Sequence, residues 1–147
     1  MADNSDPDFT GLGATPDHLK IDDAALTSYM SAHVAGFEGP IDVQKFKGGQ
    51  SNPTYLVSTP SKKYVVRRKP PGKLLPSAHA IEREYKVMTA LGTQGFPVPK
   101  TYTLCEDASI IGTPFFVMDF LEGRIFWDAG LPEAQKEERA PLYHALV

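Results

Sequence analysis

Three groups of residues could together build an anion site: two that hold the anion and one that orients them. The first is the run Gly48-Gly49-Gln50-Ser51-Asn52. Glycine lets a backbone approach an anion closely, and bare N–H groups in such a turn bind phosphate oxygens. The second is Arg67, within Lys63-Tyr64-Val65-Val66-Arg67-Arg68-Lys69. Alternation along an extended chain puts Arg67 on the face of Val65, and Arg68 on the face of Tyr64 and Val66. The third is Glu84. At about 100° per residue, with Ile81 at zero, Tyr85 falls near 40°, Met88 near −20° and Glu84 near −60°, inside the apolar arc, while Glu82 falls near 100°, outside it. A carboxylate on an apolar face is costly to bury unless paired, and Arg67 on the preceding strand is the natural partner. Each group also has a plain structural explanation: an ordinary glycine-rich hairpin turn, an edge-strand arginine whose stem snorkels, and a glutamate at the core margin that reaches water. No Gly-Lys-Ser/Thr follows the glycine run and no helix starts there, which excludes a Walker A loop.

The elements that must position these groups follow from local patterning. Asp22 is placed to cap a helix, with Ile21 and Leu26 at the two positions of a hydrophobic staple. Apolar residues recur at helical spacing from Leu26 to Phe37, and Gly36 and Gly39-Pro40 end the helix. The period then changes. Ile41–Phe46, Thr54–Thr59 and Lys63–Arg68 read as three strands of an antiparallel meander, turning at Gly48–Pro53 and Pro60-Ser61. Ser77 is expected to open a second helix that runs to about Leu91 and stops at Gly92. Lys100–Glu106 and Thr113–Phe120 read as two more strands. Leu131-Pro132-Glu133 begins a last helical segment that Pro141 interrupts. This order predicts an α+β fold: a five-stranded antiparallel sheet with one packed helix, preceded by an N-terminal helix.

Composition fits a globular chain: 147 residues, 41% hydrophobic and 22% charged, with net charge −3 and one cysteine. One cysteine excludes an internal disulfide and a cysteine-based zinc cluster, and it suits a reducing, cytoplasmic setting. The weak negative charge gives no sign of nucleic-acid binding, and no run approaches the ~18 apolar residues needed to cross a bilayer. Residues 1–20 are polar and aperiodic and read as a flexible tail, without the basic and apolar regions of a signal peptide. Residues 21–118 are expected to form the main lobe and 119–130 a hinge or linker. Met118, Phe120, Phe126, Trp127, Leu131, Leu142, Tyr143 and Leu146 are too many apolar groups for a solvated tail, so an exposed apolar stretch is expected there.

The ordered set Lys47–Val57, Tyr64–Gly72, Ile81–Tyr85, Phe96–Lys100 and Phe116–Arg124 resembles the N-terminal lobe of the protein-kinase-like fold. The resemblance is to the aminoglycoside phosphotransferase and choline kinase branch and covers about residues 40–130. Arg124–Asp128, Leu131–Glu133 and Glu138-Arg139 look more narrowly like the phosphotransferase-type domains related to those fused to acyl-CoA dehydrogenases. The resemblance implies phosphoryl transfer from ATP to an alcohol group of a small-molecule acceptor. It implies that the Gly48–Asn52 turn lies over the ATP phosphates. Arg67 stands where the family usually has lysine, keeping the charge while adding bidentate geometry. Glu84 matches the helix glutamate that orients that cation, and Met118 the position at the back of the adenine pocket. The backbone of Asp119 and Leu121 matches the adenine-edge segment.

The family's His-Gly-Asp motif is absent: none of His18, His33, His79 and His144 is followed by Gly-Asp. The later metal-binding aspartate is absent as well. The expectation is a truncated piece, inactive alone, with residues 131–147 starting a C-terminal lobe that would supply the catalytic base, the Mg2+ ligands and the acceptor site. A non-catalytic nucleotide-binding module and a structural α+β interaction domain remain as alternatives. No membrane or nucleic-acid partner is expected.

Overall fold

A computed structural model describes residues 11–48, 51–126 and 128–146. The described residues fall into two compact units, one ending at Leu121 and the other covering Glu122–Val147. The first unit is built on an antiparallel sheet of six strands: β1 (Leu12–Gly13), β2 (Asp42–Phe46), β3 (Thr54–Ser58), β4 (Lys63–Arg68), β5 (Thr101–Cys105) and β6 (Phe115–Asp119). Their spatial order is β1-β2-β3-β4-β6-β5, so β6 inserts between the meander and β5. The helices are α1 (Asp23–His33) and α2 (Ile81–Thr93) in this unit, and α3 (Lys136–His144) in the second.

Both faces of the central strands are buried. On one face Tyr55 and Val57 of β3, Tyr64 and Val66 of β4, and Phe115 and Val117 of β6 pack with Leu26, Met30 and Val34 from α1 and its C-terminal end. Asp22 caps α1, its Oδ1 accepting from the Ala25 N–H at 3.0 Å. The opposite face carries Leu56, Val65 and Phe116, all buried. There α2 lies against β5 and β6, with the Tyr85 ring 5.9 Å from that of Phe116. The two faces divide the two adjacent arginines: Arg68 goes to the α1 side and Arg67 to the α2 side.

Several sequence expectations need correction. The sheet has six strands, because Leu12 pairs with Phe46 and Gly13 with Lys45. That short strand lies within the segment read as a tail. A 3-10 turn at Asp17–Leu19 follows it, and the Leu19 carbonyl accepts the Tyr55 hydroxyl at 2.6 Å. Partners on the sheet supply the order there, so no local periodicity announces it. Residues 1–10 of that tail lie outside the described residues. The second helix starts at Ile81, four residues later than expected, because Ser77 (φ 66°) and His79 (φ 57°) adopt left-handed backbone that interrupts any earlier turn. It continues through Gly92 to Thr93. Leu131 also has positive φ (49°), so the last helix begins at Lys136 instead. Its N-terminus is closed by Glu138 Oε2 accepting from the Gln135 N–H at 3.1 Å, and Pro141 is accommodated inside it.

The apolar expectation for residues 118–147 is corrected in part. Leu131 is buried, and Met118, Phe120, Phe126 and Leu142 are half-buried, whereas Tyr143 and Leu146 are exposed. Ile125 and Leu121, not singled out for this stretch, are exposed as well. Trp127 lies outside the described residues.

Candidate functional site

The β3–β4 hairpin and α2 bring the predicted charge pair together. Arg67 Nε donates to Glu84 Oε2 at 2.6 Å, and Nη2 reaches Glu84 Oε1 at 3.4 Å. The register of the hairpin is symmetric about Pro60-Ser61 and sets Thr54 directly opposite Arg67. Thr54 Oγ1 accepts from Arg67 Nη1 at 2.9 Å and donates to the Asn52 carbonyl at 3.0 Å. Nη1 also reaches that carbonyl at 3.4 Å. Asn52 is 3% exposed, and its Nδ2 donates to Glu84 Oε1 at 3.1 Å. Thus the end of the glycine turn, strand β3 and helix α2 converge on the one guanidinium that β4 carries.

The pair is half-buried: side-chain exposure is 25% for Arg67 and 37% for Glu84. It is more open than the buried pair that the helical arc of Glu84 suggests, because Glu84 lies near the first turn of α2, beside the open Ser77–Ala80 loop. A cavity of about 350 Å³ there is lined by Ser77, Ala80, Arg83, Glu84 and Val87. A second rung ties the same two elements, Lys69 Nζ to Glu82 Oε1. Burial pushes the Glu82 carboxyl up, but the hydrogen bond and charge of Lys69, a backbone hydrogen bond and the charge of Lys86 together outweigh it and hold the group below its ordinary value.

Gly48 and the exposed Ser51 flank Gly49 and Gln50, which lie outside the described residues. Met118 pairs with Val65 across β4 and β6, and Phe116 pairs with Arg67, so Met118 shares the Arg67 face of the sheet. The Asp119 side chain points to the other face. Its Oδ1 accepts from Tyr102 at 2.5 Å and pairs with Lys62 Nζ at 3.0 Å. The structure therefore does not bring this carboxylate to Arg67. The Asp119 N–H donates to the Lys100 carbonyl at 2.8 Å, and Leu121 beyond it is 60% exposed.

Two residues of consequence escaped sequence reasoning. Thr54 is one; its position opposite Arg67 follows from the turn at Pro60-Ser61 and was legible there. Arg68 is the other. It is 2% exposed, stacks over the Tyr55 ring at 5.5 Å, and donates to the carbonyls of Ile111 (3.1 Å) and Leu19 (3.4 Å). It is a core residue; alternation puts it on the face of Tyr64 and Val66, but its partners Ile111 and Leu19 are distant in sequence.

A family model described as the phosphotransferase enzyme family matches residues 42–147, and the chain belongs to that family. The acyl-CoA dehydrogenase family member 11 of Rattus norvegicus is 47% identical over 136 residues, covering 90% of this chain and 17% of the relative. The probable acyl-CoA dehydrogenase IBR3 of Arabidopsis thaliana is 47% identical over 135 residues, covering 86% of this chain and 16% of the relative. A crystal structure of a "putative aminoglycoside phosphotransferase" from Ralstonia eutropha superposes with a TM-score of 0.72 at 47% identity, over 85% of this chain and 35% of that one. The chain thus spans about a sixth of the curated relatives it matches and about a third of the solved structure. The fold is that of a kinase-like phosphotransferase.

Proposed function

We propose that these residues form the ATP-binding lobe of a small-molecule phosphotransferase. The observation that carries the reading is the convergence of Asn52, Thr54 and Glu84 on Arg67, beside the Gly48–Asn52 turn. Arginine has five N–H donors. Four are engaged by Glu84, Thr54 and the Asn52 carbonyl, which leaves one on Nη2. That donor and the fixed charge suit a phosphate oxygen. The backbone of Gly48, Gly49, Gln50, Ser51 and Asn52 would cover the phosphates. Met118 would back the adenine ring, with the Asp119 carbonyl and the Leu121 N–H at its edge.

In the reaction, an acceptor hydroxyl oxygen bonds to the γ-phosphorus, the bond to the β-phosphate oxygen breaks, and ADP leaves while a base takes the hydroxyl proton. Arg67 would contribute by holding phosphate charge, not by moving a proton. Among the described residues no group of three His, Cys, Asp or Glu is placed to hold a metal ion. The reading assigns the Mg2+ ligands, the base and the small-molecule acceptor site to a C-terminal lobe of the kind the family resemblance implies. Among the described residues no helix is long and apolar enough to cross a membrane. A cytoplasmic setting without nucleic-acid or membrane partners completes the reading.

The test is calorimetric titration of the 147-residue chain with ATP, together with a phosphate-release assay. Saturable ATP binding that Arg67→Ala abolishes, without phosphate release above background, is the expected result. Clear turnover by the chain would overturn its assignment as a lobe inactive alone. Absence of ATP binding in a folded chain would leave Arg67 and Glu84 as a structural pair only.

A further inference from the structure

Asn52 has an unusual balance of contacts. Its side chain is almost entirely enclosed, yet only its Nδ2 has a partner, Glu84 Oε1 at 3.1 Å. Its Oδ1 is buried without a hydrogen bond among the described residues. Rotating the amide would not cure this, because it would set Oδ1 against a carboxylate oxygen. A buried polar atom without a partner calls for an explanation in what the rest of the group does.

The Arg67–Glu84 contact supplies one. A guanidinium and a carboxylate commonly pair through two parallel N–H···O bonds. Here the pairing is lopsided. Nε to Oε2 is short, at 2.6 Å, while Nη2 to Oε1 is long, at 3.4 Å. Oε1 is the oxygen that Asn52 engages. The amide and Nη2 thus share Oε1, and the amide holds the carboxylate where only Nε bonds it closely. Meanwhile Thr54 and the Asn52 carbonyl hold Nη1 on the opposite side. The guanidinium is gripped by Nε and Nη1, and its Nη2 edge is the least committed.

We propose that the Asn52 carboxamide is a positioning residue for anion binding: by holding Glu84 Oε1 it fixes the carboxylate, and through it the guanidinium of Arg67, so that the remaining N–H of Nη2 is presented to an incoming phosphate. This rests on the nucleotide-binding reading of the site and adds a division of labour within it. The backbone of Asn52 belongs to the turn, whereas its enclosed side chain acts on Glu84 rather than on the ligand. Without the amide, the Glu84 carboxylate is free to turn and the guanidinium turns with it. The ion pair survives and the aim of the free donor is lost.

The experiment compares the 147-residue chain with Asn52→Leu, Glu84→Gln and the double variant, using inorganic tripolyphosphate and adenosine as separate probes. Circular dichroism checks folding. Asn52→Leu is expected to weaken tripolyphosphate binding by roughly ten-fold, the value of one charged hydrogen bond, and to leave adenosine binding unchanged. In the Glu84→Gln background the same change should have little further effect. Equal losses for both probes, or fully additive losses, would mean that Asn52 merely supports the fold and would overturn the proposal. Wild-type binding of tripolyphosphate that Asn52→Leu leaves intact sinks this proposal alone. Failure of the wild type to bind either probe sinks the nucleotide reading with it. Should Asn52→Leu not fold, side-chain NMR of the unaltered chain decides. The Asn52 Nδ2 and Arg67 Nε signals should shift together on adding tripolyphosphate, and independence of the two overturns the coupling.

Discussion

Arg67 and Arg68 are neighbours in sequence with opposite fates, and the difference can be measured. Arg68 is enclosed, and its removal takes the guanidinium donor from the Ile111 carbonyl and leaves the Leu19 carbonyl to the Tyr55 hydroxyl alone. Arg68→Ala should lower the unfolding free energy by about 2–3 kcal/mol. Arg67 sits in a pair whose glutamate is 37% exposed and can rehydrate. Arg67→Ala should therefore cost only about 1 kcal/mol of stability, with its main effect on ATP binding. Urea denaturation of both variants checks the ordering, and a larger loss for Arg67 would contradict it. Asp119 gives a pH prediction. Burial pushes its carboxyl up, but the hydrogen bonds from Tyr102 and Lys62 outweigh burial and hold it below the ordinary carboxylate value. A depressed folded-state value makes the stabilisation fully present above the unfolded-chain value. It is lost as pH falls through the lower folded value. Acid unfolding curves should show this contribution, and Asp119→Asn should remove it. Curves of the same shape for both proteins would refute the assignment.

Helix α1 and helix α2 hold the sheet from opposite sides by different means. α1 brings Leu26 and Met30, both fully buried, and a side-chain cap at Asp22. Asp22→Ala should cost about 1 kcal/mol, read from the thermal or urea midpoint, and an unchanged midpoint would show that the cap contributes nothing. α2 buries only Ile81 completely and is strapped to β4 by Arg67–Glu84 and Lys69–Glu82, and to β5 by the Thr89–Thr101 hydroxyl pair at 2.7 Å. An element held by polar straps at a half-open edge suits a ligand-facing role, while α1 serves the core.

Within Glu122–Val147, Phe126, Leu131, Leu142, Tyr143 and Leu146 line an apolar groove, and Ile125 and Leu146 are more than 60% exposed. The 147-residue chain should bind an apolar fluorescent dye, and Ile125→Glu with Leu146→Glu should reduce that signal. A signal that the double change leaves intact would locate the exposed apolar surface elsewhere.

Much of this was written in local sequence. Alternation and turn residues place five of the six strands of the main sheet to within two residues, since side-chain period and hairpin chemistry are local properties. The cap at Asp22 and the placing of Arg67 and Glu84 on one face followed from the same geometry. Tertiary structure decided what depends on contacts between distant segments. It paired Leu12 and Gly13 with β2, inserted β6 beside β4, and buried Arg68 against Tyr55 and two remote carbonyls. It also turned Asn52 inward onto Glu84, 32 residues away. None of these can be read from a window of neighbouring residues, because the partner that makes each favourable is brought up only when the sheet closes.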